Sequence, residues 1–349
     1  MSLKQQILKA LSNVDDPDLK KDIVTLGMVE NLVIDGNKVS FDLVLTTPAC
    51  PMKDVLHNAC KTAIAHLVDS KLVVDINITH RVTNDSLTEN ALPGIKNIIA
   101  VASGKGGVGK STVAATLAMS LSHSGAKVGL MDADIYGPSV PTIFNVEGPL
   151  KMKEIDGKNK MIPIESHGLK LLSIGFLTAP GQAVVWRGPM ISSAFKQFIN
   201  DAEWGELDYL IIDLPPGTGD VQISLAQLAP LTGVVVVTTP QEMALSDARR
   251  AIDMFKLDAI AKPLIGVVEN MSYFQPDDAP EKKYYIFGKD GGKELAEKHE
   301  LNFLGELPLK EGIRFSADSG EWSMDSDLMK PYHTIAGAIA QQVSILNCK

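Results

Sequence analysis

Two hydrophobic periodicities follow one another in the first 85 residues, which indicates a small domain of helices and strands. Apolar residues recur at helical spacing from Leu3 to Leu11. From Val39 to Leu45 every second residue is apolar, which is the pattern of a half-buried strand. A second helix is predicted from about Pro51 to Val68, and a further strand from Val73 to Val82. We therefore predict a small α+β domain over residues 1–85.

The pattern changes after a polar, aperiodic stretch, Asn84–Asn90, which is followed by Pro93-Gly94. We predict a linker over residues 86–95. From Lys96 onward, short runs of apolar residues alternate with helical stretches, as in a mostly parallel sheet covered by helices on both faces. The predicted strands are residues 97–102, 128–132, 169–174, 209–213, 234–238, 264–269 and 303–307. Residues 96–349 are thus predicted to form an α/β domain.

The composition is that of an ordinary globular protein and excludes several classes. Hydrophobic residues make up 45% and charged residues 21% of the 349 residues, which excludes a disordered chain. The formal net charge is −9, so we expect neither nucleic acid nor an anionic membrane as a partner. The chain shows no secretory signal and no apolar run of spanning length, so we expect a cytoplasmic protein. The three cysteines, Cys50, Cys60 and Cys348, form no Cys-x-x-Cys pair, which argues against a disulfide scaffold or a zinc site.

A glycine-rich segment from Gly104 to Thr112 matches the phosphate-binding pattern G-x-x-x-x-G-K-[ST]. Glycines let successive backbone amides converge on a phosphate, and the N-terminus of the following helix adds positive potential. Lys110 is expected to reach the β- and γ-phosphates of ATP, and the Ser111 hydroxyl to bind Mg²⁺. The predicted nucleotide-binding residues of this loop are Gly104, Lys105, Gly106, Gly107, Val108, Gly109, Lys110, Ser111 and Thr112.

An apolar strand that ends in an acidic residue, Asp208–Asp213, has the form of a Walker B motif. A magnesium–nucleotide site needs such a residue, so Asp213 is expected to hold Mg²⁺. A Pro-Pro-Gly turn follows at residues 215–217. Together with the glycine-rich loop, this motif predicts a P-loop NTPase that hydrolyses ATP.

Lys105 is the mark of the deviant Walker A motif, G-K-G-G-x-G-K-[ST], so the chain resembles the MinD/ArsA/nitrogenase-iron-protein group of P-loop ATPases. In that group this lysine reaches the partner's nucleotide, which implies a homodimer. The resemblance also implies that Asp134 orients or activates the attacking water and that Asp132 supports the magnesium shell. The two roles are exchangeable, and capping of the helix near Ser139 is the alternative for one of them. Asn270 corresponds to an asparagine at a strand end that recognises adenine in the related ATPases, so the resemblance implies the same contact here. The predicted catalytic residues are Lys105, Lys110 and Asp134.

Further segments resemble the Mrp/ApbC branch of this group, the iron-sulfur cluster carrier ATPases, over about residues 92–320. The matching segments are Leu92–Lys96, Asp134–Ser139, Trp186–Met190, Asp213–Asp220, Glu269–Phe274, Ile286–Gly288 and Gly291-Gly292. The first 85 residues resemble the small iron-sulfur assembly domain of the SufT/PaaD type, through Thr46–Pro51. The resemblance implies an ATP-hydrolysing carrier that binds iron-sulfur clusters and transfers them to apoproteins, with apo iron-sulfur proteins and assembly scaffolds as partners.

The chain departs from this branch in its thiols. Many members carry a Cys-x-x-Cys pair directly after the Tyr-Phe at residues 273–274, whereas Gln275–Pro280 contains no cysteine. The oxygen donors of that segment are hard ligands that do not suit an iron-sulfur cluster. Cys50 is the best remaining candidate for an iron or cluster ligand, because a helix start at Pro51 would favour its thiolate. Cys60, inside that helix, is predicted to be a core residue.

Two other functions stay open at this point. An ATP-dependent scaffold would present the N-terminal domain to assembly partners without holding a cluster of its own. A positioning ATPase of the MinD/ParA kind needs a basic DNA-binding surface or a basic amphipathic C-terminal helix. The stretch Tyr332–Lys349 has apolar residues at helical spacing, but Lys349 is its only basic residue. We therefore predict a packing helix there.

Overall fold

The computed structural model describes residues 1–83, 92–177 and 188–348, which divide into two compact units. One unit holds the N-terminal residues up to 83 together with the last residues from Ala340 onward, and the other holds residues 92–339. The sequence pattern did not indicate that the last residues group with the first domain. The predicted boundary at residue 85, most of the predicted linker and Trp186-Arg187 lie outside the described residues.

The N-terminal unit has the predicted α+β character. Its elements are α1 (Leu3–Leu11), β1 (Asp15–Asp16), β2 (Lys21–Asp22), β3 (Val29–Asp35), β4 (Lys38–Leu45), α2 (Lys53–Leu67) and β5 (Val73–His80). Strands β3 and β4 form an antiparallel hairpin, and β5 pairs with β4 in parallel. Alternate residues of β4 share a core with α1 and α2, and this core includes Phe41, Leu56 and the fully buried Cys60. The prediction that Cys60 is a core residue agrees with this burial.

The second unit alternates strands with helices. It begins with β6 (Ile95–Ala102), α3 (Lys110–His123), β7 (Val128–Asp132), α4 (Val140–Ile143), β8 (Lys151–Ile155), β9 (Lys158–Ile162), β10 (Ile164–Ser166) and β11 (Leu169–Ser173). It continues with α5 (Gly188–Asn200), β12 (Leu207–Asp213), α6 (Asp220–Leu228), β13 (Gly233–Thr238), α7 (Glu242–Lys256) and β14 (Leu264–Phe274). The last elements are α8 (Gly291–Lys298), β15 (Phe303–Leu309) and α9 (Glu311–Ser319). Helix α10 (Lys330–Asn347) begins in this unit, and its residues from Ala340 onward belong to the first unit.

Eight strands form one sheet in the order β10-β11-β7-β12-β6-β13-β14-β15, and every neighbouring pair except β10–β11 is parallel. Strands β12 and β13 are buried along their whole length, as expected where helices cover both faces. Helices α5 and α6 share a core with β6 and β12, and α3 packs against β6, β7 and β12. The predicted α/β fold is confirmed, and β14 runs on to Phe274 instead of ending at Glu269.

The carboxyl ends of the central strands meet at one edge of this sheet. Asp213 at the end of β12 pairs in register with Asp132 of β7 on one side and with Val101 of β6 on the other. The glycine-rich loop follows β6 directly. Parallel pairing therefore brings residues that are far apart in the sequence to the edge where ligands bind in open α/β sheets.

Helix α10 buries its apolar side, as predicted for a packing helix. Ile335, Ile339 and Val343 are at most 5% exposed. The apolar face that a membrane-binding helix would need is therefore already covered. No helix in the described parts of the chain is both long and apolar enough to cross a membrane.

Candidate nucleotide-binding site

The segment between β6 and α3 has the backbone of a phosphate-binding loop. Helix α3 begins at Lys110, and Gly109 before it is left-handed, with φ +80°. Gly107 is left-handed as well, with φ +83°. The Ser103 hydroxyl donates to the Lys105 carbonyl at 2.9 Å and closes the start of the loop. The unpaired amides at the N-terminus of α3 thus face the loop, where they favour an anion.

Two glycines of the loop are required by close approaches to neighbouring elements. A Cβ atom on Gly104 would overlap the backbone of Asp247 in α7. A Cβ atom on Gly109 would overlap the side-chain amide of Asn270 in β14. The loop is therefore seated directly on α7 and β14, and a residue with a side chain at either position would displace it.

The Lys110 ammonium lies between two carboxylates at the same edge of the sheet. Its Nζ atom is 2.5 Å from Asp213 Oδ1 and 3.5 Å from Asp134 Oδ2. Lys110 is 6% exposed and Asp213 is inaccessible, so these charges are compensated mainly by one another. Burial raises the pKa of Asp213, and the adjacent Lys110 charge opposes that shift. The structure thus brings together three residues that the sequence predicted separately.

Two oxygens of this cluster, Asp213 Oδ2 and Asp134 Oδ1, are buried without a hydrogen-bond partner among the described residues. A buried carboxylate oxygen without a partner is costly, and a cation would satisfy it. The Ser111 hydroxyl oxygen lies 3.4 Å from Lys110 Nζ, in the same cluster. Carboxylate and hydroxyl oxygens are the hard donors that Mg²⁺ prefers. Asp213 and Ser111 therefore fit the predicted magnesium site.

Both oxygens of the buried Asp132 side chain accept hydrogen bonds from the protein. Oδ1 accepts from the Asp134 amide at 3.1 Å. Oδ2 accepts from the amides of Ser139 at 2.9 Å and Val140 at 3.1 Å, and from the Ser173 hydroxyl at 2.9 Å. Asp132 thus fixes the segment after β7 and caps α4. This is the alternative role, capping of the helix near Ser139, that the sequence left open for one of the two aspartates. These four hydrogen bonds support the capping alternative, and the expected role of Asp132 in the magnesium shell stays a prediction.

Asn270 contacts the phosphate loop itself. Its Nδ2 donates to the Val108 carbonyl at 2.9 Å, and the residue is 6% exposed. Its donor group is therefore engaged by backbone, and Asn270 is not among the residues that line the cavity above the loop. Asn270 thus holds the loop, a contact that its position at a strand end could not reveal. Its expected contact with adenine stays a prediction.

A cavity of about 470 Å³ opens above the phosphate loop. This volume is within the range of about 300–1,000 Å³ that is typical of ligand pockets. Loop residues, including Lys105, and Asp134 line one side of it. The wall that sequence reasoning missed is formed by α4, the turn after β12 and α9, through Thr142, Ile143, Pro216, Ala317 and Asp318. The Gly217 amide donates to the Ser103 carbonyl at 2.9 Å and ties that turn to the loop.

Comparison with known proteins assigns this site to a family. Residues 94–344 match the family described as NUBPL iron-transfer P-loop NTPase, and residues 4–78 match the family described as iron-sulfur cluster assembly protein. The chain belongs to the NUBPL iron-transfer P-loop NTPase family. It is 46% identical over 347 residues to an iron-sulfur cluster carrier protein of Deinococcus radiodurans, with 98% of this chain and 96% of the relative covered.

Solved structures agree with this membership. A nucleotide-binding protein of Archaeoglobus fulgidus, in complex with ADP, is 35% identical with a TM-score of 0.57, over 71% of this chain and 93% of that chain. The cell division ATPase MinD of Pyrococcus furiosus is 20% identical with a TM-score of 0.50, over 70% of this chain and 98% of that chain, and shows the fold alone. The predicted resemblance to the carrier branch of the MinD-like group is confirmed.

The segment after β14, where the resemblance to the Mrp/ApbC branch would place a thiol pair, forms a closed loop in this chain. Phe274 and Tyr284 exchange backbone hydrogen bonds of 2.8 and 2.9 Å. Inside the loop, the Gln275 side chain donates to the Pro280 carbonyl. Across residues 1–83, 92–177 and 188–348, no three His, Cys, Asp or Glu side chains converge on a metal-binding position. The loop is thus held by polar groups and contains no thiolate.

Cys50 does not lie at the helix start that the sequence predicted. Helix α2 begins at Lys53 with Met52 as its N-cap residue, so Pro51 belongs to the preceding turn. Cys50 is half-buried, and burial raises the pKa of its thiol more than the amides of Met52 and Lys53 lower it. The expectation of a favoured thiolate is therefore wrong for this conformation. Its role as an iron or cluster ligand stays a prediction.

Alkylation rates should order the three cysteines. We expect iodoacetamide to modify the exposed Cys348 first, the half-buried Cys50 next and the buried Cys60 last, as burial raises the pKa of Cys60 to about 12. Because the thiolate is the nucleophile, the Cys50 rate should rise about tenfold per pH unit between neutral pH and its raised pKa. Peptide mapping by mass spectrometry measures the rates, with the urea-unfolded chain as control. Fastest labelling of Cys50 at neutral pH would contradict the raised pKa.

Proposed function

We propose that the chain hydrolyses ATP with Mg²⁺ and uses this cycle to carry iron-sulfur clusters to apoproteins. The observation that carries the ATPase assignment is the buried Lys110 ammonium between Asp213 and Asp134 at the phosphate loop. Family membership and the similarity to a carrier protein support the cargo. The small number of cysteines supports a location in the cytoplasm.

The proposed reaction transfers the γ-phosphoryl group to water. The water oxygen bonds to the γ-phosphorus, the bond to the β,γ-bridging oxygen breaks, and ADP leaves. Lys110 and the loop amides stabilise charge on the transferring group. Asp134 lines the cavity above the loop, so its carboxylate suits the orientation of the water and the acceptance of its proton. Mg²⁺, held by Asp213 and Ser111, would neutralise further phosphate charge.

Lys105 supports a homodimer as the active species. Its side chain lines the cavity and is partly exposed. Within the part of the chain that the structure describes, its ammonium forms no ion pair. This ammonium is therefore available to a nucleotide bound by a second copy, as the resemblance to the deviant Walker A group implies.

A second candidate is an ATP-dependent assembly scaffold that holds no cluster of its own. The observation that favours it is the thiol-free segment Gln275–Pro280, closed by hydrogen bonds. Such a scaffold would share the nucleotide site and the dimer with a carrier. The two functions differ only in whether the chain itself supplies ligands to a cluster, and Cys50 is the residue on which that difference can be tested.

Replacement of the loop lysine should abolish turnover. We expect Lys110→Ala to lower kcat by at least about 100-fold, because the charge that faces the transferring phosphoryl group is removed. Phosphate release in the presence of Mg²⁺ measures the effect. Lys127→Ala removes an exposed lysine directly before β7 and should leave kcat unchanged. Persistent hydrolysis by Lys110→Ala would refute the assignment of the loop.

Mixing two inactive variants should restore activity if Lys105 acts across the dimer. In a mixed dimer of Lys105→Ala and Asp134→Asn, one site combines an intact Asp134 with the intact Lys105 of the other subunit. Random exchange of a 1:1 mixture makes about half of the dimers mixed, and each mixed dimer has one working site, so we expect the mixture to recover about a quarter of the wild-type activity, whereas each variant alone stays inactive. Phosphate release after subunit exchange measures this. No recovery, with exchange verified by mass spectrometry, would show that Lys105 acts within its own subunit.

Anaerobic reconstitution distinguishes a carrier from a scaffold. A carrier should retain iron and sulfide in the folded chain and activate an apo iron-sulfur enzyme. If Cys50 is a ligand, Cys50→Ala should lose both properties, and Cys348→Ala, which removes an exposed thiol, should keep them. Wild-type protein that holds no cluster and transfers none would contradict the carrier function and favour the scaffold.

A further inference from the structure

Strand β14 is interrupted by a bulge next to the phosphate loop. Its register with β15 shifts between Glu269 and Tyr273, and Met271 inside the bulge has φ +53°. Such a conformation is uncommon for a residue other than glycine and has to be held by its surroundings. The bulge includes Asn270, whose amide nitrogen reaches the Val108 carbonyl at 2.9 Å. A local irregularity of the strand thus aims the side chain that contacts the loop.

The Glu269 carboxylate joins the two ends of this bulge and attaches them to α8. Glu269 is 1% exposed. Its Oε1 accepts from the Ser272 hydroxyl at 2.6 Å, and its Oε2 accepts from the Gly292 amide at 2.5 Å. Ser272 lies on the far side of the bulge, and Gly292 lies in the first turn of α8, where a carboxylate is favoured. A Cβ atom on Gly292 would press against Glu269, so the seat of the carboxylate is tight.

We infer that Glu269 is a positioning residue for nucleotide binding, since it fixes the bulge that keeps Asn270 on the Val108 carbonyl. Val108 stands between Gly107 and Gly109, which are both left-handed. Glycines have wide conformational freedom, so this part of the loop keeps one conformation only where a neighbour holds its backbone. The inference rests on the proposed ATPase function, because it concerns the loop that would bind the phosphates.

The same carboxylate also closes the segment between β14 and α8. This segment leaves β14 after the bulge, and its backbone is closed by the hydrogen bonds between Phe274 and Tyr284. At its end, the Gly292 amide donates to the Glu269 carboxylate. A displacement of the segment would therefore act on the Glu269 carboxylate and, through the bulge, on Asn270. Glu269 thus connects the phosphate loop with the segment after β14.

The test separates loop binding from base binding. Glu269→Ala should raise the ATP KM and the dissociation constant about tenfold, equivalent to about 1.4 kcal/mol, and change kcat by less than about threefold. Tripolyphosphate has no base, so its inhibition constant should rise by a similar factor. Glu269→Gln should recover most of the affinity, because its amide can accept from Gly292 and donate to Ser272. Glu297→Ala, at an exposed position of α8, should change neither constant.

A double-mutant cycle with Asn270→Ala completes the test. Because Glu269 acts through Asn270, the effects of Glu269→Ala and Asn270→Ala on tripolyphosphate binding should be far from additive. Additive effects, or weakened ATP binding with unchanged tripolyphosphate binding, would overturn the inference. If Glu269→Ala does not fold, Ser272→Ala replaces it in the test and should weaken tripolyphosphate binding by a smaller factor. An unchanged affinity of Ser272→Ala would overturn the inference. Calorimetry measures these affinities independently of ATP turnover. Wild-type protein that binds tripolyphosphate but does not hydrolyse ATP would therefore refute the proposed function and leave this inference untouched.

Discussion

The buried ammonium of Lys110 and the two carboxylates that face it are the interaction on which the rest of the site depends. Charges removed from water are tolerated only where partners of opposite sign meet them in good geometry. Asp213 comes from β12, Asp134 from the segment after β7, and Lys110 from the first turn of α3. The parallel order of these elements therefore has to be maintained, because a shift in any of them would leave a buried charge without its partner.

The phosphate loop depends on its neighbours in a similar way. Gly104 and Gly109 allow the loop to lie directly against α7 and β14, and Asn270 holds the carbonyl between the two left-handed glycines. Backbone amides can converge on a phosphate only when no side chain stands between them, so the loop has little means of supporting itself. The rigid sheet supplies that support from β14, and Asp132 does the same for the segment that leads into α4.

The sequence predicted those parts of the protein that depend on local patterns. Strand positions follow from consecutive apolar residues, and the loop and Asp213 follow from spacing within a single motif. Partners of buried polar groups could not be predicted, because they come from distant segments. The Asn270 and Val108 residues are 162 positions apart, and Ser173 lies 41 positions from Asp132. Glu269 belongs to a segment that resembles the carrier branch, but its partners Ser272 and Gly292 could not be predicted from the sequence. The start of α2 was misplaced because the chain turns once more before the helix.

The closure of the segment after β14 bears on what the absent thiols mean. Its hydrogen bonds, between Phe274 and Tyr284 and between Glu269 and Gly292, involve backbone and carboxylate groups and no sulfur. The physical connection between the phosphate loop and this segment therefore does not require a cluster ligand there. Without a cysteine this segment offers no thiolate to a cluster, while its hydrogen-bonded connection to Glu269 remains. A carrier and a scaffold would consequently share this ATPase geometry, and the difference between them lies in thiol chemistry outside it, where burial keeps the Cys50 pKa high.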